Sequence, residues 1–194
     1  MESVKKLLFS ECDYRLPEEL MDRFMDSMTE VSLKPNEPLI PYGRFDSNIY
    51  VLKSGIVRYA YFDGLKEKTF GFATPGTLMM PFHSYYKRLP SFFQLEACNE
   101  SVVLKMSKST FDGFIAESHE FTRWMLTMSI AQLCVYEEKL SILNGTAEER
   151  FESLIKNRPE IMESVSLRII ASYLGITPSY LSRLKKKLSS GSEK

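Results

Sequence analysis

The chain is 194 residues long and carries 25 Lys and Arg against 25 Asp and Glu, so it is formally neutral and any charged interface has to be local. Its length allows one large or two modest domains, its hydrophobic (44%) and charged (26%) fractions suit a soluble globular protein, and no apolar run could span a membrane. The opening MESVKKLLFSECDYR lacks the apolar stretch of a signal peptide, and the scattered Cys12, Cys98 and Cys134 read as reduced, mostly buried thiols, which together predict a cytoplasmic protein.

Residues 1–31 read as helical. Pro17 opens a segment in which Leu20, Phe24, Met28 and Val31 recur every three or four residues as an amphipathic stripe. From Leu33 the period changes, and Pro35, Pro38, Pro41 and Gly43 break any helix. Short β-rich runs follow: 48–53 (NIYVLK) before Ser54-Gly55, 56–62 (IVRYAYF) before Asp63-Gly64, and 66–72 (KEKTFGF) before Pro75-Gly76. Two more, 92–98 (FFQLEAC) and 101–106 (SVVLKM), flank Asn99-Glu100. Short strands divided by turn pairs predict an antiparallel barrel or sandwich.

After Ser107 the helical period returns, with a short helix over 109–116 and a long one over about 120–143. The long helix is apolar almost all round. Phe121, Met125, Met128 and Val135 form one stripe, and Leu126, Ile130, Leu133 and Leu140 form another. A surface helix buries one stripe. Two stripes predict that one packs on the barrel and the other on a second copy of the same helix, in a two-fold homodimer. Trp124 and Tyr136 could serve either surface, and the alternative is a helix buried wholly within its own protomer. Phe121, Trp124, Met125, Met128 and Val135 are the residues assigned to this dimer helix.

Asn144-Gly145-Thr146 ends the long helix, and Thr146 with Glu149 has the spacing of a capping box for the next. The domain boundary is placed there, dividing the chain into 1–145 and 146–194. A helix over 147–157 leads through Pro159 into 165–188, VSLRIIASYLGITPSYLSRLKKKL, which reads as two short helices joined at Leu174-Gly175-Ile176. Ile169, Ile170, Tyr173 and Leu174 make one buried face. Gly175 stands where the chain needs a positive φ. Thr177 is an N-cap and Pro178 the first helical residue, where its missing N–H costs nothing. Leu181, Leu184 and Leu188 point inward, leaving Ser179, Tyr180, Ser182, Arg183 and Lys186 outside. Arg168, Arg183, Lys185, Lys186 and Lys187 lie in this stretch with no acidic residue, which is the footprint of phosphate contacts. The segment reads as a helix-turn-helix with a basic recognition helix for double-stranded DNA. The other reading is a helical hairpin with a solvated lysine face.

Antiparallel barrel, long helix and C-terminal helix-turn-helix, in that order, resemble the Crp/Fnr family of bacterial transcription regulators. The resemblance covers nearly the whole chain. It is carried most specifically by IASYLGITPSYLSRLKKK at 170–187 and TAEERFESLIKNRPEI at 146–161, and less so by YVLKSGIVRYAY at 50–61 and TPGTLM at 74–79. It implies an α+β protein: an N-terminal antiparallel β-roll of cyclic-nucleotide-binding type (a jelly-roll-like, double-stranded β-helix) with flanking helices, a long dimerisation helix and a C-terminal helix-turn-helix. Two recognition helices about one DNA turn apart would read a near-palindromic operator. RNA polymerase and a small-molecule effector are further partners the resemblance suggests.

Two departures limit what carries over. Cyclic-AMP-binding members have a Gly-Glu pair after the PG turn and an Arg-Ser or Arg-Thr pair further on, for ribose and cyclic phosphate. Here no glutamate closely follows Gly76, and Ser91-Phe92-Phe93-Gln94 stands where the arginine belongs; Lys87 and Arg88 precede Pro90, out of place. A buried phosphate without a charged partner is costly, so cyclic AMP is not expected to bind. The candidate ligand pocket is expected from Phe72, Met80, Phe82, Tyr85, Tyr86, Phe92 and Phe93, a composition that suits an apolar ligand or a filled core. The second departure is that only SSGSEK follows the recognition helix, where members with a wing continue into a β-hairpin. Arg168, Lys185, Lys186 and Lys187 should then carry more of the non-specific affinity. Arg183 matches the family's second recognition arginine and is the candidate for a bidentate guanine contact. Ser166 and Thr177 are expected to bond phosphates. Pro178, Ser179 and Tyr180 replace the Arg-Glu start of well-known members.

No cofactor or metal is expected. Three scattered thiols cannot hold an iron–sulfur cluster, His83 and His119 are isolated and read as surface or loop residues, and no nucleophile motif or phosphate-binding loop is present. The chain is therefore not read as an enzyme. The rivals are a dimeric ligand-binding module whose helix-turn-helix contacts protein, and a cupin-like metal oxygenase, for which two lone histidines are too few.

Overall fold

The computed structural model describes residues 2–64, 66–143 and 145–191, with side chains described except at 2, 138–143 and 188–191. The readings placed on Leu140, Leu188, Asn144 and the final three residues lie outside the described residues. Helices α1 (Glu2–Ser10) and α2 (Glu18–Asp26) precede strands β1 (Thr29–Leu33), β2 (Pro38–Ile40), β3 (Ile49–Ser54), β4 (Val57–Asp63), β5 (Lys66–Ala73) and β6 (Leu78–Met79). A single-turn helix α3 (Phe82–Tyr85) interrupts the strands before β7 (Gln94–Ala97) and β8 (Ser101–Met106). The strands form two four-stranded antiparallel sheets, ordered β1-β8-β3-β6 and β2-β7-β4-β5. The strand pattern predicted an antiparallel barrel or sandwich, and the form found is the β-roll that the family resemblance implied.

The predicted helical stretch at the N-terminus stops earlier than expected. The N–H and Oγ of Ser27 both donate to the Arg23 carbonyl and close α2, while Val31 lies on β1 opposite Val103. Pairing with β8 overrides the local helical period there. Strands β2 and β6 escaped the pattern because they are only three and two residues long.

Helices α4 (Lys108–Glu117) and α5 (His119–Leu143) then cover one end of the roll. Ser107 caps α4, its Oγ accepting from the Thr110 N–H at 3.1 Å. The core beneath them is aromatic. Phe24 of α2 sits among Phe111, Phe114, Phe121 and Trp124, with ring centroids 5.3 to 6.4 Å apart in edge-on or tilted arrangements. Trp124 is fully buried, and its Nε1–H has no partner among the described residues. Replacing Trp124 by Ala should cost about 3–5 kcal/mol of unfolding free energy. Trp124→Phe should cost far less, because no hydrogen bond is lost. Equilibrium denaturation of both variants checks this pair of outcomes.

The packing of α5 corrects the assignment of its faces. Phe121, Trp124 and Met128 are buried in the protomer's own core, and Met125 packs beside them. Of the five residues assigned to the dimer helix, only Val135 is exposed. The open face is instead Leu126, Ile130 and Leu133, at 61, 52 and 62% exposure. The two stripes existed in the sequence, but the aromatic cage around Phe24 selected the one that holds the large rings.

Helices α6 (Ala147–Asn157), α7 (Pro159–Ser164), α8 (Leu167–Leu174) and α9 (Pro178–Gly191) form the C-terminal head. The capping box at its start is present: Thr146 Oγ1 accepts from the Glu149 N–H, and the Glu149 carboxylate accepts from the Thr146 N–H. The head packs on the outer face of β4 and β5. Ile56 and Phe72 of the roll join Phe151, Leu154, Ile170 and Leu174 in one buried cluster, and Phe72 meets Tyr173 at 5.1 Å. The Thr69 N–H donates to Ser172 Oγ at 3.0 Å, and Arg158 Nη2 donates to Thr74 Oγ1 at 3.1 Å.

Candidate nucleic-acid interface and effector cavity

The turn between α8 and α9 follows from three residues. Gly175 adopts φ +68°, which lets the Ile176 N–H reach the Ala171 carbonyl at 3.0 Å and the Gly175 N–H reach Ser172. This is the Schellman pairing, and a side chain at that φ would be strained. Thr177 Oγ1 then accepts from the Tyr180 N–H at 3.2 Å and starts α9, with Pro178 in its first turn. Leu181 and Leu184 are buried against the head core. Helix α9 continues to Gly191, past the point near 188 where it was expected to end.

The candidate DNA-contacting residues divide by exposure. Ser166, Arg168, Thr177, Pro178, Ser179, Arg183, Lys185, Lys186 and Lys187 are exposed, whereas Tyr180 and Ser182 are half-buried. Tyr180 is tied down on both sides. Its hydroxyl donates to the Glu148 carboxylate of α6, and the Arg183 guanidinium carbon lies 5.4 Å from its ring centroid. That hydrogen bond holds the Glu148 carboxyl below its ordinary range and the Tyr180 phenol above its own. Tyr180 therefore orients Arg183 and ties α9 to α6. The role of Glu148 was not visible in the sequence, because nothing local connects residues 148 and 180.

A second charged group was also unforeseen. Arg58 of β4 is 3% exposed, and its Nε and Nη2 donate to Glu96 Oε1 at 2.8 and 2.6 Å. Its Nη1 lies 2.6 Å from Glu67 Oε1 and 3.2 Å from Thr69 Oγ1, and Gln94 Nε2 bridges the two carboxylates. Burial alone would lower the guanidinium pKa; the hydrogen bonds to Glu67 and Glu96 outweigh it and raise it. Arg58→Met should destabilise the fold by about 3–5 kcal/mol, since two carboxylates lose their counter-charge. A urea titration comparing Arg58→Met with Glu67→Gln, at the half-exposed partner, should show the much larger loss for Arg58.

On the other face of the same sheet lies a cavity of about 550 Å³ between the roll and α5. Of the expected pocket residues, Met80, Phe82, Phe92 and Phe93 line it. Phe72, Tyr85 and Tyr86 do not. Phe72 faces the head, Tyr85 donates its hydroxyl to Asp112 and stands edge-on to Phe111, and Tyr86 is 82% exposed. The missing wall comes from Tyr59, Phe70, Thr77 and Leu78 of the roll and from Met125, Met128, Ser129, Gln132, Leu133 and Tyr136 of α5. His83, expected as a surface or loop residue, sits on α3 and also lines the cavity, its Nδ1 3.0 Å from the Pro90 carbonyl.

A bulge explains the exchange of Phe72 for Phe70. Tyr59 pairs with Gly71 and Ala60 with Thr69, so Phe70 is an extra residue on β5. An extra residue reverses the alternation beyond it. Phe70 then packs against Tyr59, Tyr61 and Phe93 on the cavity side, while Phe72, beside Arg58, faces the head. At the turn before β6, Gly76 has φ +92°, and a Cβ there would come within 2.4 Å of Leu7 Cβ on α1. Helix α1 is thus seated on the turn that carries the PG motif. The buried Ser91 donates its Oγ to the Phe93 carbonyl at 2.7 Å, so the position where an arginine was sought is closed by local bonds.

The thiols are less buried than expected: Cys12 and Cys98 are half-buried and Cys134 is exposed. Burial pushes the Cys98 thiol up to about 12. Among the described residues no three His, Cys, Asp or Glu side chains gather where they could hold a metal ion, and no helix is long and apolar enough to cross a membrane.

No protein-family model and no curated protein sequence matches the chain. Solved structures do. FixK2 from Bradyrhizobium japonicum is 20% identical, with 85% of this chain and 86% of that one covered at a TM-score of 0.72. The c-di-GMP responsive global regulator CLP of Xanthomonas campestris is 14% identical, over 91% of this chain and 93% of that one, at a TM-score of 0.70. Thermus thermophilus catabolite activator protein is 16% identical, over 96% and 88% of the two chains, at a TM-score of 0.58. The fold is that of Crp/Fnr-type regulators: a β-roll, a long helix and a C-terminal helix-turn-helix head.

Proposed function

We propose that this chain is a DNA-binding transcription regulator of Crp/Fnr type. It acts as a homodimer, reads a near-palindromic operator through α9, and does not need cyclic AMP. The observation that carries this reading is the surface of α9. Arg183, Lys185, Lys186 and Lys187 project from a helix held by the Gly175 turn and the Thr177 cap, and its sequence contains no acid. Residues 1–145 are the sensor unit with the dimer helix, and 146–194 are the DNA-binding unit. Regulation would be exerted in the cytoplasm, on RNA polymerase at the operator, without catalysis.

The dimer surface in this reading is the open face of α5, centred on Leu126 and Ile130, with Leu133 at the edge it shares with the cavity. The electrostatics of the cavity support independence from cyclic AMP. The cavity lining contains no Lys or Arg, and Arg58 is directed to the opposite face of the sheet by its pairing with Phe72. An anion placed there would lose its hydration without a charged partner.

Sheared genomic DNA captured by the purified protein near roughly 0.15 M salt, with and without cyclic AMP, tests the reading. A short palindrome should be enriched in both samples. Saturating cyclic AMP should change operator affinity by less than about twofold; a tenfold gain, about 1.4 kcal/mol of coupling, would restore the nucleotide to the mechanism. Absence of any enriched duplex would count against DNA as the partner.

A further inference from the structure

We infer that Glu148 of α6 is a positioning residue for sequence readout: through Tyr180 it holds the Arg183 guanidinium in the orientation that reads one base pair of each half-site. The inference rests on the regulator reading above and adds to it a residue that lies outside the helix-turn-helix.

The contact follows from side-chain spacing. Tyr180, Leu184 and Lys187 recur at i, i+4 and i+7 and share one face of α9. That face turns to α6. Leu184 and Lys187 border a cleft with Glu148 and Phe151, and the Tyr180 hydroxyl donates to the Glu148 carboxylate. The stretch that forms α9 contains no acid, so the acceptor is supplied by another helix. Tyr180 has one hydroxyl proton, and it is spent on this carboxylate rather than offered to a phosphate. Arg183 follows at i+3, its guanidinium carbon 5.4 Å from the tyrosine ring centroid. Glu148 is itself held in place. It stands in the first turn of α6, which the capping box of Thr146 and Glu149 closes, and Arg150 Nη1 donates to the Gly145 carbonyl at 2.8 Å.

An arginine fork reads guanine through two parallel hydrogen bonds, so the plane of the guanidinium matters as much as its charge. An exposed arginine gives up rotamer freedom to adopt one plane. A neighbouring ring anchored at its hydroxyl removes part of that cost before DNA arrives. The charge of Glu148 works the other way, because a carboxylate near the phosphates weakens binding to every sequence. Positioning and charge therefore predict opposite signs when Glu148 is neutralised.

Glu148→Ala and Glu148→Gln remove the same charge, but glutamine keeps a side-chain carbonyl that can accept from Tyr180. Fluorescence anisotropy near roughly 0.15 M salt measures the full chain on the enriched operator, its single-base-pair variants and a random duplex. Glu148→Ala should weaken operator binding at least about fivefold and lose preference at the base pair that Arg183→Ala also ceases to read. Its binding to the random duplex should be equal to wild type or tighter. Glu148→Gln should stay within about twofold of wild type on the operator. Tyr180→Phe keeps the ring, removes the hydroxyl and should match Glu148→Ala; it carries the test alone if thermal unfolding shows the alanine variant misfolded. In an Arg183→Ala background, Glu148→Ala should cost nothing further. A contact that only braced the head would act on all duplexes alike, whatever stands at position 183. Intact base preference in Glu148→Ala and Tyr180→Phe, a glutamine variant as impaired as the alanine one, or losses that add to that of Arg183→Ala would each overturn the positioning role. With a wild-type chain that binds its operator selectively, such a result removes this role alone. A wild-type chain that enriches no duplex removes the regulator reading and this role with it.

Discussion

Arg183→Glu is expected to lower affinity for the enriched operator by at least about a hundredfold at physiological salt, while leaving thermal stability nearly unchanged. A bidentate guanine contact is worth about 1–3 kcal/mol, and placing a carboxylate against the phosphates adds repulsion. Arg183 is exposed, with its guanidinium beside the Tyr180 ring, so the fold should tolerate the change. Arg183→Ala should lose less affinity and should relax preference at one base pair of each half-site. Lys186→Ala should instead weaken all sequences alike and reduce the salt dependence. Electrophoretic mobility shifts at several salt concentrations separate these outcomes. Unchanged operator binding by Arg183→Glu would remove α9 as the reading element and favour a protein partner for the head.

Leu126→Asp combined with Ile130→Asp is expected to convert the dimer to a folded monomer and to reduce operator affinity by about 10²–10⁴-fold, the gain that linking two half-site contacts provides. Both residues stand more than half exposed on α5, and neither belongs to the aromatic cluster around Phe24. Two carboxylates should therefore spare the protomer and penalise only the surface where apolar side chains meet a second copy. Analytical ultracentrifugation reads the mass, and the unfolding midpoint reads the protomer. The matching change at Phe121 or Trp124 should unfold the chain instead. A wild-type protein that sediments as a monomer with or without operator would overturn the dimer reading.

The sequence was most informative where structure is decided over a few residues. The Gly175 turn, the Thr177 cap, the capping box of Thr146 and Glu149, and strands β3, β4, β5, β7 and β8 were all legible. Each depends on a φ value, a side-chain oxygen or an alternating pattern that neighbouring residues supply. The candidate cavity was legible only in part. Met80, Phe82, Phe92 and Phe93 were found from the apolar composition of the segment after Gly76. The α5 wall was not, since no local signal says which helix closes a roll.

Taken alone, then, the sequence determined the order of elements, an antiparallel β unit followed by a long helix, and a helix-turn-helix with an acid-free basic helix. These follow from short-range conformational preferences and from charge. Only the tertiary structure decided which stripe of α5 is spent on the protomer, which of Phe70 and Phe72 enters the cavity, and where Arg58 and Tyr180 find their carboxylates. Those choices depend on residues distant in the chain. The cage around Phe24 accepts the face of α5 with the largest rings, one extra residue in β5 reverses the alternation, and a buried guanidinium requires counter-charges that β5 and β7 bring to it.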